Sequence, residues 1–368
     1  MSIDIGIIGL AKSGKTVIFN ALTRGKVDNT GHSPESSAQH IGVTRILDSR
    51  LNVLTELLHS CKMVPVEAKY IDTGASLRGP VNAKGIGGEL LNQLGNVDTL
   101  INVVRAFTDD SIPHVEGSLD IKRDITAMDL ELAFSDLAII ERRIERIETF
   151  LKGAKPSERQ VILKEQEMLT KFKAKLEQDI PVREMEISPG EARIIANYQL
   201  LTVKHLLIVV NIGEEQLAGV DSLETELSSG YLLGKRRVIA LCGKLEMELA
   251  QLDESAAREF RAEYGLKESG LERIIRLSYE LLGLISFFTT VSNEVRAWSI
   301  RRGTTALNAA GKIHSDMERG FIRAEVINCD DLVEYGGFAE ARKRGRLRLE
   351  GKDYIIQDGD VITFLFNV

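Results

Sequence analysis

Near the start of the chain stands a run of residues with the types and spacing of a phosphate cradle. Gly9-Leu10-Ala11-Lys12-Ser13-Gly14-Lys15-Thr16 fits the pattern GxxxxGK[ST]. It lies between the apolar run Ile3 to Ile8 and a helical pattern from Val17 to Leu22, the strand-before, helix-after context that such a loop requires. Glycines let the backbone curl until successive N–H groups converge on an anion. The helix N-terminus adds a dipole of the right sign. Lys15 is placed to reach the β- and γ-phosphates, and the Thr16 hydroxyl to ligate Mg²⁺. A nucleoside triphosphate is the ligand this chemistry suits.

The metal needs a second acidic group. Asp72 follows the β-branched run Ala68 to Ile71 and opens a switch-like segment, Asp72-Thr73-Gly74-Ala75. Gly79, Gly85, Gly87 and Gly88 downstream suggest a stretch that reorganises with the γ-phosphate. An Asp that only caps a turn is the plainer alternative. Further on, Asn211-Ile212-Gly213-Glu214 closes the apolar run Leu206 to Val210, at the strand end where this class of fold reads the base. Guanine readers carry Asn-Lys-x-Asp there, and the Asp carboxylate accepts both hydrogens of the guanine N1 and N2 edge. Here Ile stands for Lys and the longer Glu for Asp, which displaces that two-point contact. Mispaired polar groups cost about 1–3 kcal/mol each, enough to reverse a preference. The expectation is ATP over GTP.

These residues need elements to hold them. Short β-branched runs alternate with helical patterns over 1–119 and again over 191–283, with strands at Ile3 to Ile8, Ala68 to Ile71, Leu100 to Val104, Leu206 to Val210 and Val238 to Leu241. Such alternation predicts an α/β fold with a mostly parallel sheet. Between them, over 120–190, Leu130, Phe134, Leu137, Ile144, Ile147 and Leu151 recur at helical spacing, and Leu169, Phe172 and Leu176 follow a Gly/Pro break at 153–156. This predicts two long amphipathic helices in an antiparallel hairpin, with coiled-coil character. Its charges read as a solvated face or as a partner-docking face. From 284 to 368 a β-rich domain is expected, with strands at Phe321 to Ile327, Tyr354 to Ile356 and Val361 to Phe366 and one helix around Ala306 to Ile313.

Composition narrows the function classes. The 368 residues are 43% hydrophobic and 27% charged, which argues against a disordered or fibrous chain. With 47 Lys and Arg against 54 Asp and Glu, the net charge of −7 provides no bulk field for nucleic acid. The charge is uneven, however. Residues 284–368 hold 12 basic and 12 acidic side chains, and Arg342, Lys343, Arg344, Arg346 and Arg348 crowd into one stretch, a solvated turn or an RNA contact. The longest apolar runs fall short of the ~20 residues that span a bilayer. Met1-Ser2-Ile3-Asp4 lacks the features of a secretory leader, so no membrane partner and a cytoplasmic location are expected. Cys61, Cys242 and Cys329 are not spaced as a zinc site or a disulfide framework and read as core residues in a reducing compartment. His114 and His314 read as packing or hydrogen-bonding residues.

Over nearly its whole length the sequence resembles the YchF/Obg-like ATPase family of translation-factor-class P-loop NTPases. The resemblance rests on Phe19-Asn20-Ala21-Leu22 after the loop, Asn211-x-x-Glu214, Cys242-Gly243-Lys244 and the run Ser278 to Leu284. It continues through Glu294-Val295-Arg296-Ala297-Trp298, Gly320 to Val326, Gly351 to Ile356 and Asp358 to Val361. It implies a G-type nucleotide domain (1–119 and 191–283), an inserted helical hairpin (120–190) and a C-terminal TGS domain (284–368), a ubiquitin-like β-grasp module. Carried over by position, Gly9 and Lys12 to Thr16 would bind the phosphates, with Lys15 and Asp72 as the groups acting in catalysis. Asn211, Ile212 and Glu214 would form an adenine pocket with Cys242, Gly243 and Lys244. Mg²⁺ would take Thr16, Ser36 and, through water, Asp72.

Members of this family bind and hydrolyse ATP slowly and associate with ribosomes, and some are linked to stress responses. The implied partners are therefore the large subunit or the 70S ribosome, with RNA contact through the TGS domain and the hairpin, and no small substrate besides the nucleotide. The chain departs from the family in its switches. Members carry Asp-x-Ala-Gly and then a hydrophobic residue, whereas here Ala75 takes the place of the Gly that meets the γ-phosphate and Ser76 follows. An Ala can donate the same N–H if its φ is negative, in a stiffer loop. Two readings follow: a slow ATPase switch that engages the ribosome, or an ATP-holding module whose altered switches do not turn over.

Overall fold

The computed structural model describes residues 3–24, 27–28, 40–46, 48–72, 88–153, 155–229, 234–291 and 293–367. Ser36, Thr73, Gly74, Ala75 and Ser76, and with them Gly79, Gly85 and Gly87, lie outside the described residues. The chain forms two compact units. One comprises Asp4–Val43 with Lys69–Leu281, the other Met1–Ile3, Thr44–Ala68 and Leu282–Val368. Residues 44–68, read from sequence with the first stretch, thus group with the C-terminal one.

A seven-stranded sheet organises the first unit. Its strands are β1 (Ile3–Ile8), β2 (Val27–Asp28), β3 (His40–Ile46), β5 (Val66–Asp72), β6 (Thr99–Arg105), β7 (His205–Asn211) and β8 (Arg236–Leu241), in the order β2-β3-β5-β1-β6-β7-β8; β4 (Lys62–Val64) belongs to the other sheet. The pairs β1–β6, β6–β7 and β7–β8 are parallel, as the alternating pattern predicts. Every residue of β6 is buried, which is why Leu100, Ile101, Val103 and Val104 put apolar side chains on both of its faces, with no alternation of apolar and polar positions. Helices pack their apolar stripes on this sheet through Ile8, Leu100, Val104, Leu206, Ile208 and Val210. The register sets Arg105 opposite Asn211, so the loops that follow β6 and β7 leave the sheet side by side.

The hairpin is Ile121–Leu151 followed by Pro156–Leu176. Asp120 caps the first helix by accepting from the Arg123 N–H, and proline opens the second at a position whose N–H would be unpaired anyway. Its seam buries Ala133, Ile140 and Ile147 against Met168, Leu169 and Phe172. Phe134, expected in that seam, is instead 51% exposed. The stripe runs through 133, 137, 140, 144 and 147, and Phe134 stands about 100° round the helix from it. At the base of the hairpin the fully buried Arg183 reaches Asp129 at 2.9 Å, and Asp129 also holds Arg236 at 2.8 Å. Asp136, with no exposed surface, accepts from the Leu201 and Thr202 N–H groups and the Thr202 hydroxyl at 2.6–2.8 Å.

The second unit carries a six-stranded sheet in the order β12-β11-β13-β9-β10-β4, with β9 (Leu284–Val291), β10 (Glu294–Arg301), β11 (Phe321–Asn328), β12 (Arg348–Glu350) and β13 (Asp360–Phe366). The helix Ala306–Ile313 packs its alanines against Phe287, Ile300, Val326 and Phe364. Strand β4 adds in parallel to β10, and the helix Ser49–Leu57 is fixed by Arg50, which bonds Asp358 at 2.8 Å and lies 5.4 Å from the Phe288 ring centre.

Two expectations fail here. Tyr354 to Ile356 is no strand: Ile355 makes one isolated bridge to Thr305, and the Tyr354 hydroxyl is spent on Asp360 at 2.8 Å. Cys61 is exposed and accepts from the Asn293 side chain at 3.0 Å, whereas Cys242 and Cys329 are buried. Among the described residues no helix is long and apolar enough to cross a membrane.

Candidate nucleotide site

The phosphate-loop candidates converge where β1 hands over to the helix Lys15–Thr23. Gly9 has φ +151°, and a Cβ there would stand 2.4 Å from the Val103 carbonyl oxygen. Gly14 caps the helix at φ +94°, where a Cβ would meet the Asn211 Nδ2 at 2.2 Å. Lys12 also takes a left-handed conformation, at φ +63°, and its side chain is exposed. Lys15 is only 7% exposed, and its ammonium donates to the carbonyls of Gly9 and Leu10 at 3.0 Å each. Burial pulls its pKa below the usual lysine value, and the Asp72 charge pulls it back. A buried cation held by neutral carbonyls is one to which a polyphosphate brings the missing counter-charge. The Ser13 hydroxyl beside it is buried and has no hydrogen-bond partner among the described residues.

Thr16 presents an exposed hydroxyl that donates to the fully buried Asp72 at 3.1 Å. A hydroxyl and a carboxylate at that separation are hard oxygen donors and fit Mg²⁺, which takes few protein ligands and keeps water or substrate oxygens for the rest. Among the described residues no group of three or more His, Cys, Asp or Glu is placed to hold a metal ion. His40, at the start of β3, brings Nδ1 to 4.0 Å from Asp72. Ser36 and Ala75 lie outside the described residues.

Asn211 binds the pocket's walls together. Its amide donates to the Ser13 carbonyl at 3.1 Å and its oxygen accepts from the Gly243 N–H at 3.0 Å. Its own carbonyl takes the Ala106 and Phe107 N–H groups at 2.8 and 3.1 Å. Gly243 is needed for closeness, since a Cβ would lie 2.8 Å from Ile18. Ile212 turns into the apolar core at 1% exposure, so its side chain does not face an open base site. Glu214 and Lys244 pair at 3.2 Å across the mouth, with 39% and 70% of their side chains exposed. Burial pushes the Cys242 thiol pKa up.

Residues that sequence reading passed over complete the surroundings. Arg105 is 4% exposed, packs on the Phe107 ring at 4.5 Å and has one guanidinium nitrogen with no partner among the described residues. His114 makes the kind of polar contact read for it: its Nε2 meets the buried Asp124 at 2.9 Å, and both line a small cavity with Leu10, Ser13, Asn102 and Arg105. The position of Arg105 at the carboxyl end of a buried strand was the available signal. His314, by contrast, serves as a helix cap, accepting from the Asp316 N–H at 3.2 Å.

The basic run sits in the other unit and is not uniform. Arg342 pairs with Glu325 at 3.2 Å and Lys343 with Glu340 at 2.5 Å. Arg348 meets Glu350 at 3.5 Å and Asp360 at 3.8 Å. Arg344 and Arg346 both lie on Tyr335, at 5.3 and 5.8 Å from its ring centre.

Residues 284–367 match the family model YchF-GTPase_C, described as a protein of unknown function (DUF933). The chain is 39% identical to a Bacillus subtilis (strain 168) protein named ribosome-binding ATPase YchF, and 35% identical to one of the same name from Escherichia coli O157:H7, covering 100% of both chains in each case. It superposes on the structure of the Schizosaccharomyces pombe YchF GTPase with TM-score 0.84 and 29% identity, covering 99% of this chain and 98% of that one.

Proposed function

The chain belongs to the YchF family, and on that premise we propose that it binds ATP with Mg²⁺, hydrolyses it slowly and associates with ribosomes according to the nucleotide held. The observation that carries the reading is the buried Lys15 ammonium beside the Thr16–Asp72 pair. The names of the Bacillus and Escherichia relatives, ribosome-binding ATPase, support the activity and the partner. In this reading residues 1–119 with 191–283 form the nucleotide domain, 120–190 the hairpin and 284–368 a TGS domain. The protein works in the cytoplasm, on the large subunit or the 70S ribosome.

Lys15 exchanges its two carbonyl partners for β- and γ-phosphate oxygens. Loop N–H groups converge on the same oxygens, and Asn211 holds that loop in place. Thr16 and, through water, Asp72 would hold Mg²⁺, which supplies charge neutralisation across the β- and γ-phosphates. Water attacks the γ-phosphorus in line, the bond to the bridging oxygen breaks, and ADP and phosphate leave. No side chain is assigned as general base, which accords with slow turnover. Adenine is preferred because Glu214 is longer than the guanine reader's Asp and is already paired with Lys244.

A competition titration tests the base: ATP is expected to bind more tightly than GTP, and equal or tighter GTP binding overturns that preference. Single-turnover hydrolysis with and without ribosomes tests the activity. The wild type should exceed Lys15→Ala in at least one condition; indistinguishable rates in both would leave an ATP-holding module only.

A further inference from the structure

Beside the Thr16–Asp72 pair stands an imidazole that the proposed hydrolysis leaves unused. The sheet places β3 next to β5, and His40, which opens β3, meets Asp72, which ends β5. Two residues on, Gly42 lets the strand close on the helix Lys15–Thr23. A Cβ there would stand 2.2 Å from the Thr23 Cγ2 and 3.1 Å from the Phe19 ring. The imidazole thereby rests against Phe19, with ring centres 6.1 Å apart and planes at 40°. Phe19 lies three residues after Thr16 and so shares its side of the helix.

This packing aims one atom of the ring. His40 is partly exposed, but its Nδ1 is buried and has no hydrogen-bond partner among the described residues. Nδ1 faces the Asp72 Oδ2 at 4.0 Å, and the Thr16 hydroxyl bonds that same oxygen at 3.1 Å. No hydrogen bond spans 4.0 Å. Two ligands of one ion, each about 2.0–2.2 Å from it, stand at most about 4.4 Å apart. A ring nitrogen and a carboxylate oxygen facing each other across that gap are completed by a cation between them.

We propose that His40 gives the nucleotide's metal site a nitrogen donor, so that the site takes a divalent transition-metal ion of the iron(II) or cobalt(II) kind in preference to Mg²⁺. Thr16, Asp72 and the phosphates offer hard oxygens that either kind of ion accepts. Mg²⁺ gains little from nitrogen and sheds water reluctantly, so it keeps the water between itself and Asp72. Ions later in the first transition row accept imidazole readily, and for them Nδ1 of His40 replaces a water. The inference rests on the proposed nucleotide and metal binding and names the class of ion that the site selects.

The test uses the full chain, a fluorescent β,γ-methylene analogue of ATP, and Co²⁺ or Mg²⁺ alone as the metal. After correction for the affinity of each ion for free analogue, Co²⁺ should strengthen analogue binding at concentrations at least about tenfold below those of Mg²⁺. His40→Gln should cut that preference at least about tenfold, since even the outer partner of a metal ligand is worth about 10–100-fold in metal affinity. The Co²⁺ complex of the wild type should also show a strongly shifted, exchangeable imidazole N–H resonance in its proton spectrum. That signal is read without any variant, and His40→Gln and His40→Leu should each abolish it.

Analogue binding that both ions strengthen equally, or a Co²⁺ complex with no shifted imidazole resonance, overturns this inference and leaves nucleotide and metal binding standing. A resonance or a Co²⁺ preference that survives both His40 variants assigns the nitrogen to another residue and overturns it as well. Analogue binding that neither ion strengthens overturns the proposed metal site itself, and this inference falls with it.

Discussion

At Gly14 the demands of backbone and neighbour coincide. The residue sits at φ +94°, and the space a Cβ would fill is held by the Asn211 amide, which is bonded to the next turn of the same loop. Gly14→Ala is expected to lower nucleotide affinity at least about tenfold, from left-handed strain of about 1–2 kcal/mol and the displaced amide. Asn211→Ala should also weaken binding, since it frees the Ser13 carbonyl and the Gly243 N–H. Because both changes disturb one contact, the double variant should lose less than the sum of the two. Titration with a fluorescent nucleotide measures all three, and strictly additive losses would remove the coupling. The motif's residue types were legible in sequence because each is demanded locally. That Asn211 binds loop to loop, and that Ile212 faces the core, depends on where residues about 200 positions apart meet.

The hairpin shows the same division among elements. Its periodicity and Gly/Pro break announced two helices, and the turn between them appears at that break. Its attachment was not visible. Arg183, fully buried, donates to the carbonyls of Thr202 and Lys204 at 3.3 and 3.1 Å and to Asp129 at 2.9 Å. Burial pulls its pKa down while Asp129 opposes that. Arg183→Ala leaves these acceptors unmet inside the protein, at a cost of about 3 kcal/mol, softened because Asp129 retains Arg236. A lower urea midpoint by circular dichroism is the expected result, and an unchanged midpoint would contradict it.

Past the hairpin, in the short helix Pro189–Ile195, Glu191 closes a capping box on Ser188 and pairs with Lys171 at 3.0 Å. The Ser188 N–H, then Lys171, hold its carboxyl down at about 2, from an ordinary value of 4.5. A carboxylate with a depressed folded-state pKa contributes its stability above its ordinary pKa and loses it as pH falls toward the depressed one. Amide exchange at 190–195, corrected for intrinsic rates, should therefore lose protection as pH falls from about 4.5 toward 2. Glu191→Gln should flatten that dependence, and an equal slope in both would show that another group sets it.

Across the whole molecule, the division of the chain differs from its order in sequence. Residues 44–68 supply β4 along β10 and the helix that carries Arg50, which lies on the 0%-exposed Phe288 and bonds Asp358. A fragment of 282–368 alone would uncover that ring and leave β10 as an open edge. It should unfold at lower urea than the same residues do in the intact chain, and a peptide of 44–68 should restore part of the difference. Matching transitions, followed by Trp298 fluorescence, would show that the segment adds nothing.

The sequence alone determined what local chemistry demands. Glycines were required where the loop curls, Lys15 and Thr16 where that loop opens its helix, buried β-branched runs in the parallel strands, and 3.6-residue spacing in the hairpin. Tertiary structure decided which like residues differ. It paired Arg342 and Arg348 with carboxylates while leaving Arg344 and Arg346 on Tyr335, paired His114 with Asp124, and placed 44–68 with the C-terminal sheet. A local pattern records how a residue suits its own element, whereas charge neutralisation and burial depend on what distant parts of the chain bring beside it.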